Sequence, residues 1–146
     1  MRETMFRIGV FICLFSVASR AQAPHDQTTT NGWNNGRYWL GLDNNAKVAF
    51  LNGVQGGIDL VATEFGAQSS QADYDRIGAL RDRISAPQGI NVRDIAGVVD
   101  FFYRDKANLS IPVAYAFTFA ARKLSREDPA TLNDYIATLR QYWGRF

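Results

Sequence analysis

Apolar residues recur at steps of three and four through most of the chain after residue 43. In "DNNAKVAFLNGVQGGIDLVATEF", Ala46, Phe50, Val54 (or Gly53), Gly57 (or Ile58), Val61 and Phe65 fall on one helical stripe, and Asp43 can cap the first turn. Strand-like alternation fails at "KVAFLNG". Tyr74, Ile77, Leu80 (or Arg81) and Ile84 predict a second, weaker helix that stops before Pro87. Asn91 caps a third, in which Val92, Ile95, Val99 and Phe102 make the stripe and Asp94 suits the first turn. Asp105 to Asn108 makes a turn. Pro112 then enters the first turn of a fourth helix, where its missing N–H costs little, and Val113, Ala116, Phe117, Ala120 and Leu124 mark the buried face. The last helix has Asp128 as cap, Pro129 at its first position, and Leu132, Tyr135, Ile136, Leu139 and Trp143 as stripe. Five helices with short links and no internal repeat predict an all-α fold, one small domain over 37–146.

Three glycines trouble the first helix. Gly53, Gly56 and Gly57 each cost about 1 kcal/mol against alanine in a helix interior. Gly53 and Gly57 share a face, as do Ala116 and Ala120 on the fourth helix. Two small-residue faces crossing closely would offset the loss through added dispersion contacts. The alternative is a break at Gly56-Gly57.

Residues 22–36 carry polar and turn-forming residues without a period, and predict a flexible lead-in with Trp33 as its one anchor. Before it stand Arg2 and Arg7, the apolar run Ile8 to Ala18, and the small-residue stretch "SRAQA". That three-part plan is a secretory signal peptide over 1–21, with cleavage after Ala21 or Ala23, and predicts a periplasmic or secreted protein. The run is short of the roughly 20 residues needed to span a bilayer. An uncleaved N-terminal helix anchoring a structural envelope protein is the alternative.

Removing Arg2, Arg7, Arg20 and Glu3 from 16 basic and 14 acidic residues leaves equal numbers of each, so nothing argues for a nucleic-acid partner. The only cysteine, Cys13, leaves with the signal, and no disulfide or thiolate metal site remains. Such a domain must rest on its core. With roughly 120 residues it buries about two-thirds of its surface.

Little catalytic chemistry is available. The sole histidine, His25, sits in the lead-in, and there is no HExxH, CxxC or calcium loop, so neither a metal nor a cofactor is expected. "GVQGG" lacks the strand and the Lys–Ser/Thr of a phosphate loop. Paired carboxylates, Asp100 with Asp105 or Asp59 with Glu64, leave a small envelope hydrolase as an alternative. Asp100, however, precedes Arg104 by four residues, the favourable order for a surface ion pair. Asn108-Leu109-Ser110 matches a glycosylation sequon, a match common by chance.

"FFYRDKAN" is the candidate interaction surface, because one of Phe101, Phe102 and Tyr103 cannot face the core if the other two do; the alternative is that all three are core or boundary residues. An exposed aromatic beside Arg104, Asp105 and Lys106 is of the kind found at binding hot spots. Phe101, Tyr103, Arg104, Asp105 and Lys106 are therefore the expected contact residues.

Two blocks carry a resemblance. "WLGLDNNAKVAFLNGVQGGI" resembles the first helix of small exported bacterial proteins with a tryptophan, a lysine, an aromatic-x-x-Gly and a second glycine. "VRDIAGVVDFFYRDKANLSIPVAYAF" resembles their second block, where an aromatic pair leads through Asp-x-x-Asn to Ile-Pro. These mostly uncharacterised proteins are distantly similar to the Tai-type immunity family, periplasmic helical proteins that block type VI secretion amidase toxins. That family's pattern includes cysteines able to form a disulfide, which this chain lacks after residue 21. The resemblance spans Trp39 to Lys123 and implies a helical, exported, non-enzymatic protein that binds another protein.

Overall fold

The computed structural model describes residues 27–146; the signal peptide expected over 1–21, its cleavage points, Cys13 and His25 lie outside them. Six α-helices dominate: α1 (Gly36–Leu40), α2 (Asn44–Ala67), α3 (Gln71–Ile84), α4 (Val92–Arg104), α5 (Val113–Leu124) and α6 (Pro129–Trp143). Each expected helix is present, and the short α1 is added in front of them.

Local chemistry sets the helix starts. The side chains of Asp43, Ser70, Asn91 and Asp128 accept from amides in the first turns of α2, α3, α4 and α6, satisfying donors that have no partner within the helix. Pro112 stands one position earlier than expected, as the N-cap of α5, where its fixed φ and absent N–H suit an entry. Between α4 and α5 a 3₁₀ turn, Lys106–Asn108, is capped by Asp105.

The segment expected to be a flexible lead-in is built differently from residue 27 onward. Strands β1 (Thr29–Thr30) and β2 (Trp33–Asn34) pair antiparallel across Asn31-Gly32, both at positive φ. Asn-Gly is the dipeptide that a tight hairpin turn favours. Asn35 is fully buried: its Oδ1 accepts from the Arg37 amide at 2.9 Å, and its Nδ2 donates to Thr30 Oγ1 and Gln27 O at 3.0 Å each. The Gly36 amide donates to Leu109 O at 3.1 Å, which ties the hairpin to the entry of α5.

The core gathers Trp39, Leu51, Ile95, Val99, Tyr103 and Phe117, all almost fully buried, from α1, α2, α4 and α5. The side chains of α6 that close it include Leu132, Leu139 and Trp143. The glycine expectation is corrected on both counts. α2 runs unbroken through Gly56-Gly57, and a Cβ added at Gly53, Gly56 or Gly57 would meet nothing within 4 Å. Ala116 and Ala120 are fully buried in the core, but they do not cross the Gly53–Gly57 face. The reason is rotational: α2 turns Leu51, Val54 and Ile58 toward the core, and the glycines lie roughly 90–170° round the helix from that line. No helix among the described residues is long and apolar enough to cross a membrane.

Candidate functional site

The end of α4 divides its aromatic run. Phe102 and Tyr103 are buried, edge to face at 5.2 Å, and Phe102 also packs on Phe119 at 5.0 Å. Phe101 points outward and is 54 % exposed. Tyr103 is thus corrected from contact residue to core residue. Its hydroxyl donates to Ile111 O at 2.9 Å, and burial pushes it well above the usual tyrosine range.

Two cations flank Phe101: Lys123 Nζ lies 4.5 Å from the ring centroid and the Arg104 guanidinium 5.9 Å. Arg104 and Lys106 are exposed, and among the described residues neither they nor Lys123 form an ion pair. Asp105 is otherwise engaged. It accepts from the Ala107 amide at 2.9 Å and pairs with Arg140, and these contacts hold its carboxyl below the usual carboxylate range. A depression of about 380 Å³ beside Phe101 is walled by Phe119, Ile136, Asp105 and Arg140.

Asn108 closes that corner from inside. Its Nδ2 donates to Phe102 O at 2.7 Å and its Oδ1 accepts from Arg140 Nε at 2.8 Å, with the residue 3 % exposed. A glycan could not reach it, so the sequon is a structural asparagine.

Asp100, Asp105 and Asp59 each hold an ion pair. Asp100 does not pair with Arg104; its Oδ1 accepts from Trp39 Nε1 and Lys47 Nζ, each at 2.7 Å. Asp59 accepts from Gln55 and from Arg81, which together hold it below the usual carboxylate range. Among the described residues no three His, Cys, Asp or Glu side chains cluster as a metal site.

A second feature escaped the sequence reading. Beside α2 runs an apolar groove of about 480 Å³, with Gly53, Val54, Gly57 and Ile58 on one wall, Ile77 and Leu80 on the other, and Trp33 beside them. Val61 and Phe65, assigned to the core stripe, are 55 and 63 % exposed. The available signal was the width of the apolar band on α2, which exceeds what one neighbour can cover. Neither a family model, nor a curated protein, nor a solved structure matches the chain.

Proposed function

We propose that this is an exported, non-catalytic helical protein that acts by binding another protein, in the manner of an immunity or accessory factor. The contact residues are Phe101, Arg104, Asp105 and Lys106 of the original set, joined by Lys123. The observation that carries this reading is the half-exposed Phe101 ring held between two cations that have no carboxylate partner among the described residues. A buried aromatic anchor with a charged rim is the usual composition of an interface hot spot. The cations fix the partner's chemistry: an acidic rim around an apolar pocket that receives Phe101. The signal-peptide pattern supports export, and the resemblance of the two sequence blocks supports the binding role.

The test is capture from a periplasmic fraction by the chain and by Phe101→Glu, compared at low and high salt. A partner retained by the parent, lost at least tenfold with Phe101→Glu and weakened by salt is the expected result. Capture that ignores both the substitution and the salt would overturn the proposal, as would no capture. Tyr103 substitutions are unsuitable controls, because they remove a core side chain.

A further inference from the structure

Small and large residues are segregated along the open side of α2. Gly53, Gly56 and Gly57 leave empty space around its middle, whereas Leu60, Val61 and Phe65 project from its C-terminal third, each more than half exposed. The glycines weaken the helix, and no contact among the described residues requires them. Their spacing answers that of the projecting residues: Gly53 and Gly57 are four apart, and so are Val61 and Phe65.

We infer that α2 is the two-fold seam of a homodimer, with a second copy lying antiparallel across it. Seating the partner's Val61 on Gly57 places the partner's Phe65 on Gly53, and the two-fold axis repeats both contacts in reverse. A hollow followed by a ridge on one helix is self-complementary in this direction and in this register; a parallel copy would set ridge against ridge. The area is also sufficient. Trp33, Leu60, Val61, Phe65 and Leu80 carry roughly 600 Å² of accessible surface, and the half-buried groove walls bring this toward the ~800 Å² per partner of a standard interface. Charge does not oppose the pairing: Asp59 is already paired with Arg81, and the exposed Glu64, on the same face as Gly57, meets Val54 and Gln55 of the second copy in this register rather than another acid. None of Phe101, Arg104 and Lys123 lines this groove, so dimerisation leaves the proposed partner site open.

Sedimentation of the full chain in a Cys13→Ser background, from about 1 to 100 µM, reads the oligomeric state. A monomer throughout would overturn the inference and leave the groove to some other ligand. A dimer is expected, with Val61→Arg raising its dissociation constant more than tenfold while circular dichroism is unchanged. Mixing Gly57→Cys chains with Val61→Cys chains should give a disulfide-linked heterodimer under mild oxidation, in excess over either homodimer. A dimer insensitive to Val61→Arg, or one without that crosslink preference, would overturn the register. Phe101→Glu should leave the dimer intact, which separates failure here from failure of the partner-binding proposal.

Discussion

Gly36 lies against the ring of Tyr103 so closely that a Cβ built on it would stand 2.5 Å from Cε1, with the Leu109 backbone behind at 3.1 Å. Real Cβ atoms do not approach this near, and the ring is locked by its hydroxyl bond to Ile111 O and its edge contact with Phe102. Gly36→Ala should therefore destabilise the protein by about 2–3 kcal/mol, read as a lowered midpoint in urea. Tyr103→Phe, which removes one buried donor and orphans the Ile111 carbonyl, should cost about 1–2 kcal/mol. An unchanged midpoint for Gly36→Ala would refute the close approach.

Trp39 is fully buried and donates its indole N–H to Asp100, which also receives Lys47; the ammonium sits 5.2 Å from the Trp39 ring centroid. One carboxylate oxygen thus joins α1, α2 and α4. Asp100→Ala would strand a buried donor and a half-buried cation, a loss of about 1–3 kcal/mol. The Trp39 environment should change with it, visible as a shift in tryptophan emission. A neutral Asp100→Ala variant would place Asp100 among ordinary surface acids.

Gly53→Ala and Gly56→Ala should each stabilise the monomer, by up to about 1 kcal/mol, because the added methyl meets open space and the helix gains propensity. The expectation of a close crossing requires the opposite sign. Melts at concentrations below dimerisation decide between them, and a destabilised Gly53→Ala would restore the crossing.

The helices were legible because period and caps agree: Asp43, Asn91 and Asp128 stand where the apolar stripes begin, whereas α3, read from its stripe alone, is capped by Ser70. What the stripe does not encode is how far each helix is rotated in the assembled bundle. Gly53 and Ala116 both look like close-packing positions in one dimension, yet only Ala116 has a neighbour in three. The hairpin was missed because a two-residue strand has no period; its signal was the Asn-Gly turn alone. At the candidate site the division of Phe101 from Phe102 and Tyr103 was readable as a necessity of helical geometry. Which ring turned outward depended on Ile111 and Phe119, distant contacts that spacing does not register.

Lys123 and Arg104 should act on partner binding chiefly through encounter. Charge reversal of either side chain, at the rim of Phe101, is expected to slow association about two- to tenfold at low salt with little effect on dissociation. Phe101→Ala, which removes the anchor, should instead speed dissociation. Surface plasmon resonance against the captured partner separates the two effects, and a salt-independent association rate would contradict an acidic rim.

Stability should fall at both ends of the pH range for separate reasons that meet at Arg122. Its guanidinium, 6 % exposed, is held by both oxygens of Glu127 at 2.5 and 2.7 Å and lies 4.3 Å from the Tyr135 ring centroid. The bond from Arg122 lowers the Glu127 carboxyl below its ordinary value. A depressed folded value contributes stability that is present above the unfolded value, about 4.3, and is lost as pH falls through the depressed one. Protonated Glu127 would then leave a buried cation uncompensated. At the alkaline end burial pushes Tyr135 up to about 12, against the nearby positive charge of Arg122, which pulls it down. A raised folded value means the contribution is intact below about 10, where the unfolded tyrosine ionises, and is lost as pH rises toward the folded value. Melting temperature is thus expected to be level from roughly pH 5 to 9 and to decline on either side. Glu127→Gln should flatten the acid limb in part, since Asp59 and Asp105 still contribute there, and spare the alkaline one; Tyr135→Phe should do the reverse in part, since Tyr103 still contributes there. If Glu127→Gln left the acid limb as steep as before, Arg122 and Glu127 would not be the pair that acid breaks.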